Sequence, residues 1–207
     1  MLSSPFEPRT LSLSKSGFLL AFSSKHITFI DSSDTNISTI YEFPDLLISN
    51  VTRIDLNTLI VALYNGTILV YDMDTTTTPT ATLRYSMTFH TSTILSLSPS
   101  YSKHLFYATS SQGQYITCNY LTTGKYLLKK SLASLGYDSI IQLEYIESCN
   151  VVLIIGKIGS LYLLRVYDWT ISTLIAALDT YKQSTYSLIA YQITEYFNQP
   201  CLLAYFK

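Results

Sequence analysis

Charge is the scarcest ingredient of this chain. Only 13% of its 207 residues are Asp, Glu, Lys or Arg, about half the share of an ordinary soluble domain. Ser, Thr, Tyr and Asn must therefore cover most of the surface, or part of that surface must lie against other chains. Thirteen basic and fourteen acidic residues leave a net charge of −1, and the basic ones are scattered apart from Lys129-Lys130. Counterion release from a phosphate backbone needs a concentrated basic face, so direct nucleic-acid binding is not expected. Cysteine is scarce too. Cys118, Cys149 and Cys201 lie far apart with no CxxC pair, and an odd count argues for buried thiols in a reducing compartment, cytoplasmic or nuclear. The opening MLSSPFEPRT lacks the apolar core of a signal peptide. No apolar run approaches the ~18 residues of a membrane-spanning helix, so membrane insertion is not expected. Asn36, Asn50 and Asn65 match the glycosylation acceptor pattern, but such matches arise by chance in a Ser/Thr-rich chain without a secretory signal.

Chemistry-bearing constellations are equally thin. His26, His90 and His104 stand alone, with no HxH, HExxH or Cys/His pair that would hold a metal. Ser96 and Ser98 sit in no nucleophile elbow, because the chain has no GxSxG. Gly156-Lys157-Ile158-Gly159 lacks the glycine run and the Ser/Thr after Lys of a phosphate loop, and reads as a hairpin turn. Asp31, Asp72 and Asp168 recur at equivalent strand ends, as turn residues that bond their own backbone do. The sequence therefore supplies no catalytic, cofactor-binding or metal-binding residue, and an enzyme is not expected.

What the chain has in abundance is β-structure signals. Short runs of Leu, Ile, Val, Thr and Tyr are separated by turns of two to four residues, the range of hairpin links. His90 to Tyr126 shows the pattern best: Ile94–Ser98, His104–Ser110 and Gln114–Leu121, followed by Lys125–Lys130. Similar four-strand units fall at 11–43, 51–85, 94–130 and 140–178, with a partial fifth at 186–206. Asn65-Gly66 is the strongest turn signal, since both residues tolerate the positive φ of a type I′ hairpin. The glycines of the central turns, Gly66, Gly113 and Gly159, are 47 and 46 residues apart. A period in the forties built from four strands marks an all-β propeller of antiparallel blades, four to five of them visible in one domain over 1–207. Helix is not expected anywhere; the best candidate, Asp179–Glu195, has no 3.6-residue stripe. Eighteen tyrosines fit either strand filling or a recognition surface. Thr75–Thr78 with Pro79 reads as a connector on one rim.

The second and third units resemble WD40-type β-propeller repeats. Phe89-His90 stands where that family has Gly-His, ahead of Asn119-Tyr120 in the place of Trp-Asp. Ile30-Asp31, Tyr71-Asp72 and Tyr167-Asp168 occupy the Trp-Asp position in the other units. The resemblance implies a structural role for Asp31, Asn65, Gly66, Asp72, His90, Gly113, Tyr120, Gly159 and Asp168. It implies that His90 braces strands through a hydrogen-bonded network, although its turn offers Gln112 where the family has Asp.

Four units and two strands leave closure open. A seven-bladed ring could end here and be completed by a partner, a five-bladed ring could borrow the N-terminal lead, or further blades could lie uncounted. The resemblance and the low charge together imply a non-catalytic interaction scaffold, a subunit of a larger assembly whose partners are other protein subunits. The alternative is an enzyme, or an accessory subunit of an enzyme complex in RNA modification or trafficking, built on the same platform.

Overall fold

The computed structural model describes residues 10–13, 18–22, 25–31, 37–42, 47–55, 57–74, 80–88, 90–111, 115–179, 188–196 and 199–206, with side chains at Lys25, Ile27 and between Leu47 and Leu178. Its strands lie where the apolar runs lie. The first sheet holds β1 (Thr10–Leu13), β2 (Phe18–Phe22), β3 (His26–Asp31) and β4 (Ile37–Glu42). The second holds β5 (Ile48–Asp55), β6 (Thr58–Leu63), β7 (Thr67–Asp74) and β8 (Thr80–Thr88). The third holds β9 (Ile94–Ser100), β10 (Leu105–Ser110), β11 (Tyr115–Tyr120) and β12 (Tyr126–Ser131). After a single helical turn, α1 (Leu132–Leu135), the fourth holds β13 (Ser139–Ile146), β14 (Val151–Ile158), β15 (Leu161–Asp168) and β16 (Leu174–Asp179). A two-stranded hairpin, β17 (Leu188–Tyr196) and β18 (Gln199–Phe206), comes last. Each four-stranded sheet is an antiparallel meander in chain order.

The third-to-fourth strand pairing is interrupted at the same point in all four sheets. The register shifts between Phe29 and Ile30, Val70 and Tyr71, Cys118 and Asn119, and Val166 and Tyr167. Each shift inserts one extra residue into the outer strand: Ser38, Arg84, Leu127 and Ile175. A bulge of this kind bends an edge strand and breaks its regular ladder, which protects it from unwanted pairing.

The cores lie between successive sheets. Strand β6 is buried along its whole length because it faces two neighbours. Its Leu59 and Val61 pack with Ile27 of the first sheet, and its Ile60 and Ala62 pack with Ile94, Phe106 and Ala108 of the third. In the same way β10 turns Phe106 and Ala108 towards the second sheet, while Tyr107 joins Leu143, Tyr145, Val152 and Ile154 of the fourth. Alternation along an extended strand produces this division, and each such side chain contributes ~2 kcal/mol by leaving water. The rings of Tyr107 and Tyr145 stack with centroids 5.5 Å apart.

Two expectations are corrected here. The propeller is not formed, since the sheets do not close into a ring. Packing links β2 to β5, β5 to β9, and β9 to β13, and among the described residues none of similar extent joins the first sheet to the fourth or to the β17–β18 hairpin. Strand signals are local, and a repeat of strands does not dictate how the last sheet meets the first. The expectation that no helix forms is corrected by α1. Gly136 ends that turn with φ of 74° and donates its N–H to the Ala133 carbonyl, while the Tyr137 N–H reaches Leu132, a left-handed terminus suited to glycine. Within Asp179–Glu195, where no helix is expected, Asp179 ends β16 and β17 occupies Leu188–Tyr196. No helix among the described residues is long and apolar enough to cross a membrane.

Candidate functional site

The residues singled out in the sequence are distributed over separate sheets. Asp31 ends β3. Asp72 lies on β7 and takes the guanidinium of Arg84, the extra residue of its bulge, in a partly exposed ion pair. That hydrogen bond is the main reason the Asp72 carboxyl is held below its ordinary range. Asp168 closes β15 and accepts the backbone N–H groups of Thr170, Ser172 and Thr173, at 3.2, 2.7 and 2.6 Å. Burial opposes its ionisation, but the Thr170 hydroxyl, which also donates to it, and then these backbone bonds outweigh that cost and lower its pKa. Tyr120 is exposed at the end of β11, and Gly159 is exposed in the β14–β15 turn with φ of 55°. Gly113, Phe89 and the Thr75–Pro79 connector lie outside the described residues.

Two of the singled-out positions do meet. The Asn65-Gly66 turn packs on the segment that leads into β9, and Gly66 has φ of 86°. A Cβ there would run into the backbone carbonyl of His90 and come to 2.9 Å from that of Ser92. His90 itself is 3% exposed. Its Nε2 lies 3.4 Å from the Thr117 hydroxyl, which also accepts the Asn119 amide at 3.1 Å. Burial first, and then the charge of Lys129, lower the His90 pKa to about 4, so the ring is neutral at pH 7. Asn119 Oδ1 and the hydroxyls of Ser49, Thr109 and Ser110 are buried without a hydrogen-bond partner. Cys118 is buried and free, its thiol pushed up to about 12 chiefly by burial, which makes it a poor nucleophile. Among the described residues no group of three or more His, Cys, Asp or Glu is placed to hold a metal ion.

A polar seam joins the third and fourth sheets, and the sequence did not reveal it. Ser96 donates to the Leu143 carbonyl at 2.7 Å, and Ser98 accepts the Tyr145 N–H at 2.7 Å. Asn50 makes a similar bond to the Leu95 carbonyl, at 3.1 Å, between the second and third sheets. Glu147, in the β13–β14 turn, accepts the N–H groups of Tyr101 and Ser102, each at 3.0 Å, from the β9–β10 turn. First strands of adjacent sheets are thus fastened by side chains bonding the neighbour's backbone.

The outer strands carry the surface. On β8 the bulge residue is Arg84, and on β12 Lys129 and Lys130 follow the bulge, so both edges present charge. Strand β16 reads LIAALD, with no charge before its last residue. Its Leu174, Ile175 and Leu178 are 48%, 57% and 49% exposed. Lys130 Nζ sits 3.2 Å from the Ser172 hydroxyl, just ahead of this strand. A long apolar side chain on an unpaired sheet edge costs solubility unless something covers it.

No family model matches the chain, and no curated protein matches it. The WD40 resemblance is thereby overturned, as the open run of sheets already indicates. The role of a non-catalytic WD40-like scaffold within a larger assembly falls with it, and so does the alternative of an enzyme or accessory subunit on a propeller platform. Among solved structures, the crystal structure of the computationally designed Ika4 protein is similar, with a TM-score of 0.60 at 18% identity. The match covers 81% of this chain and 95% of that one. At such identity the likeness shows a shared all-β arrangement of the backbone and carries no function.

Proposed function

We propose that this chain acts by binding protein rather than by catalysis, and that its contact element is the β16 edge. The observation that supports this is the exposed Leu174–Leu178 stretch, an apolar outer strand without the Arg or Lys that guards β8 and β12. Edge strands of this kind take up another chain through backbone hydrogen bonds and alternate side chains. The buried, free Cys118 fits a reducing compartment, and the proposed setting is the cytoplasm or nucleus.

A photocrosslinking amino acid placed at Ala176, with a control at the exposed Thr122, tests the reading in cells that express the full chain. Discrete protein adducts are expected at position 176 and not at 122, and Leu178→Lys should abolish them. Equal labelling at both positions, or none at 176, would sink the proposal.

A further inference from the structure

We infer that the β12 edge docks an acidic, extended segment of a partner protein as a further strand of the third sheet. This goes beyond the β16 reading and does not rest on it. The observation behind it is an imbalance of charge. From Thr75 to Tyr137 the chain has no Asp or Glu, although Arg84, Lys103, Lys125, Lys129 and Lys130 all fall there. The four lysines belong to the third sheet and its turns. Asp72 answers Arg84, but among the described residues no carboxylate pairs with any of the four lysines. Lys103 Nζ lies 4.8 Å from the centre of the Trp169 ring, Lys129 Nζ lies 3.9 Å from that of Tyr115, and Lys130 Nζ lies 3.2 Å from the Ser172 hydroxyl. The carboxylates of the adjoining sheet that come closest in the fold, Glu147 and Asp168, are turned onto backbone N–H groups. A chain of net charge −1 thus keeps one sheet wholly cationic.

The edge is shaped for a strand. Among the described residues β12 is the outermost strand of its sheet, so its far side has no ladder partner. Lys129 pairs with Thr117, the neighbour of His90, and Lys130 pairs with Ile116, which packs towards the fourth sheet. The two lysines therefore flank the edge from opposite faces. An added strand also sends consecutive side chains to opposite faces, so two adjacent carboxylates meet both lysines whichever way that strand runs. At the other end of β12, Tyr126 and Leu127 are exposed and offer an apolar contact. The recognised segment is then an acidic pair with an apolar residue about two to four positions away. Lysines that repel an unselected strand select this one. A six-residue edge is smaller than the ~1,600 Å² of a standard interface, so the contact is weak and sensitive to salt.

Fluorescence anisotropy of the full chain with a fluorescein-labelled, terminally blocked peptide, Leu-Thr-Val-Glu-Glu-Val-Thr-Leu, tests this. Saturable binding is expected at low salt, weakening about tenfold between about 50 and about 500 mM NaCl. Exchanging Glu-Glu for Gln-Gln in the peptide should weaken it about tenfold, and so should Lys129→Gln combined with Lys130→Gln in the chain. Lys157→Gln, on the fourth sheet, should leave it unchanged. N-methylating the two valines should abolish binding, because an added strand needs their backbone donors. No binding at low salt overturns the inference, as does binding that ignores the lysine pair or the N-methyl groups. An oligothymidylate bound as tightly through the same lysines overturns it too, since the edge would then be reading phosphate charge. None of these measurements involves β16, so their failure leaves crosslinking at position 176 to decide the reading of that edge.

Discussion

Acid should weaken this fold through His90, and the size of the effect follows from its surroundings. The imidazole is 3% exposed, packed under the Gly66 turn with Thr117 as its polar neighbour and Lys129 as a nearby charge. In the unfolded chain it takes up a proton near pH 6.5, and in the folded chain only near pH 4. Above pH 6.5 neither state is protonated and the difference costs nothing. Between those values the unfolded state binds a proton that the folded state refuses, so stability falls as pH falls, by ~1.4 kcal/mol per unit. From pH 7 to pH 4.5 the loss amounts to about 2.5 kcal/mol, a sizeable part of the 5–15 kcal/mol typical of a domain. Urea unfolding followed by the fluorescence of Trp169, the single tryptophan, measures it at each pH. His90→Gln removes the titration while the carboxylates common to both proteins go on titrating. The wild-type curve should therefore drop more steeply than the variant curve between pH 6.5 and 4. Lys129→Gln should shrink the gap without closing it, since burial is the larger cause. Parallel curves for wild type and His90→Gln would refute the reasoning.

Three further outcomes can be measured by the same unfolding assay. Gly66→Ala should cost more than 3 kcal/mol, because a left-handed φ is compounded by collision with two backbone carbonyls that cannot step aside. Gly159→Ala, with φ of 55° and open space around it, should cost only about 1 kcal/mol; equal losses at the two glycines would show that the His90 contact is unimportant. Ser98→Ala should cost about 1–3 kcal/mol by stranding the Tyr145 N–H between two sheets, whereas a loss below 0.5 kcal/mol would mean the seam carries no weight. Asp168→Ala should cost about 1–2 kcal/mol and speed amide exchange at Ser172 and Thr173, whose N–H groups it holds; unchanged exchange there would count against that anchoring role.

The strands were legible because their cause is local. Alternating apolar residues and Gly- or Asn-marked turns state where the chain extends and reverses, and every expected run coincides with an observed strand. The joining of sheets was not legible. Ser96 and Ser98 look like ordinary strand serines until β13 is placed beside them, and their partners lie 47 residues away. Arg84 reads as a surface cation until the bulge turns it onto Asp72. His90 reads as a solitary histidine because Thr117 is 27 residues further on. The ring expected from the repeat failed for a related reason, since a repeated unit specifies its own hairpins and leaves the ends of the series undetermined. The bareness of β16 was written in LIAALD, but only its position on an outer edge gave that composition a meaning.

The seam of Ser96 and Ser98 has one further effect, on alignment. A side chain points to alternate faces of its strand, so sliding β9 by a single residue would swing both hydroxyls away from β13 and drive leucine into their place. The same slip would swing Leu97 off the core it shares with the second sheet, so apolar packing opposes it too. Two hydroxyls that must find a particular carbonyl and a particular amide do not tolerate it. They act as a vernier between sheets that share no backbone ladder, adding fixed hydrogen-bond partners to an alignment that the apolar contacts also require.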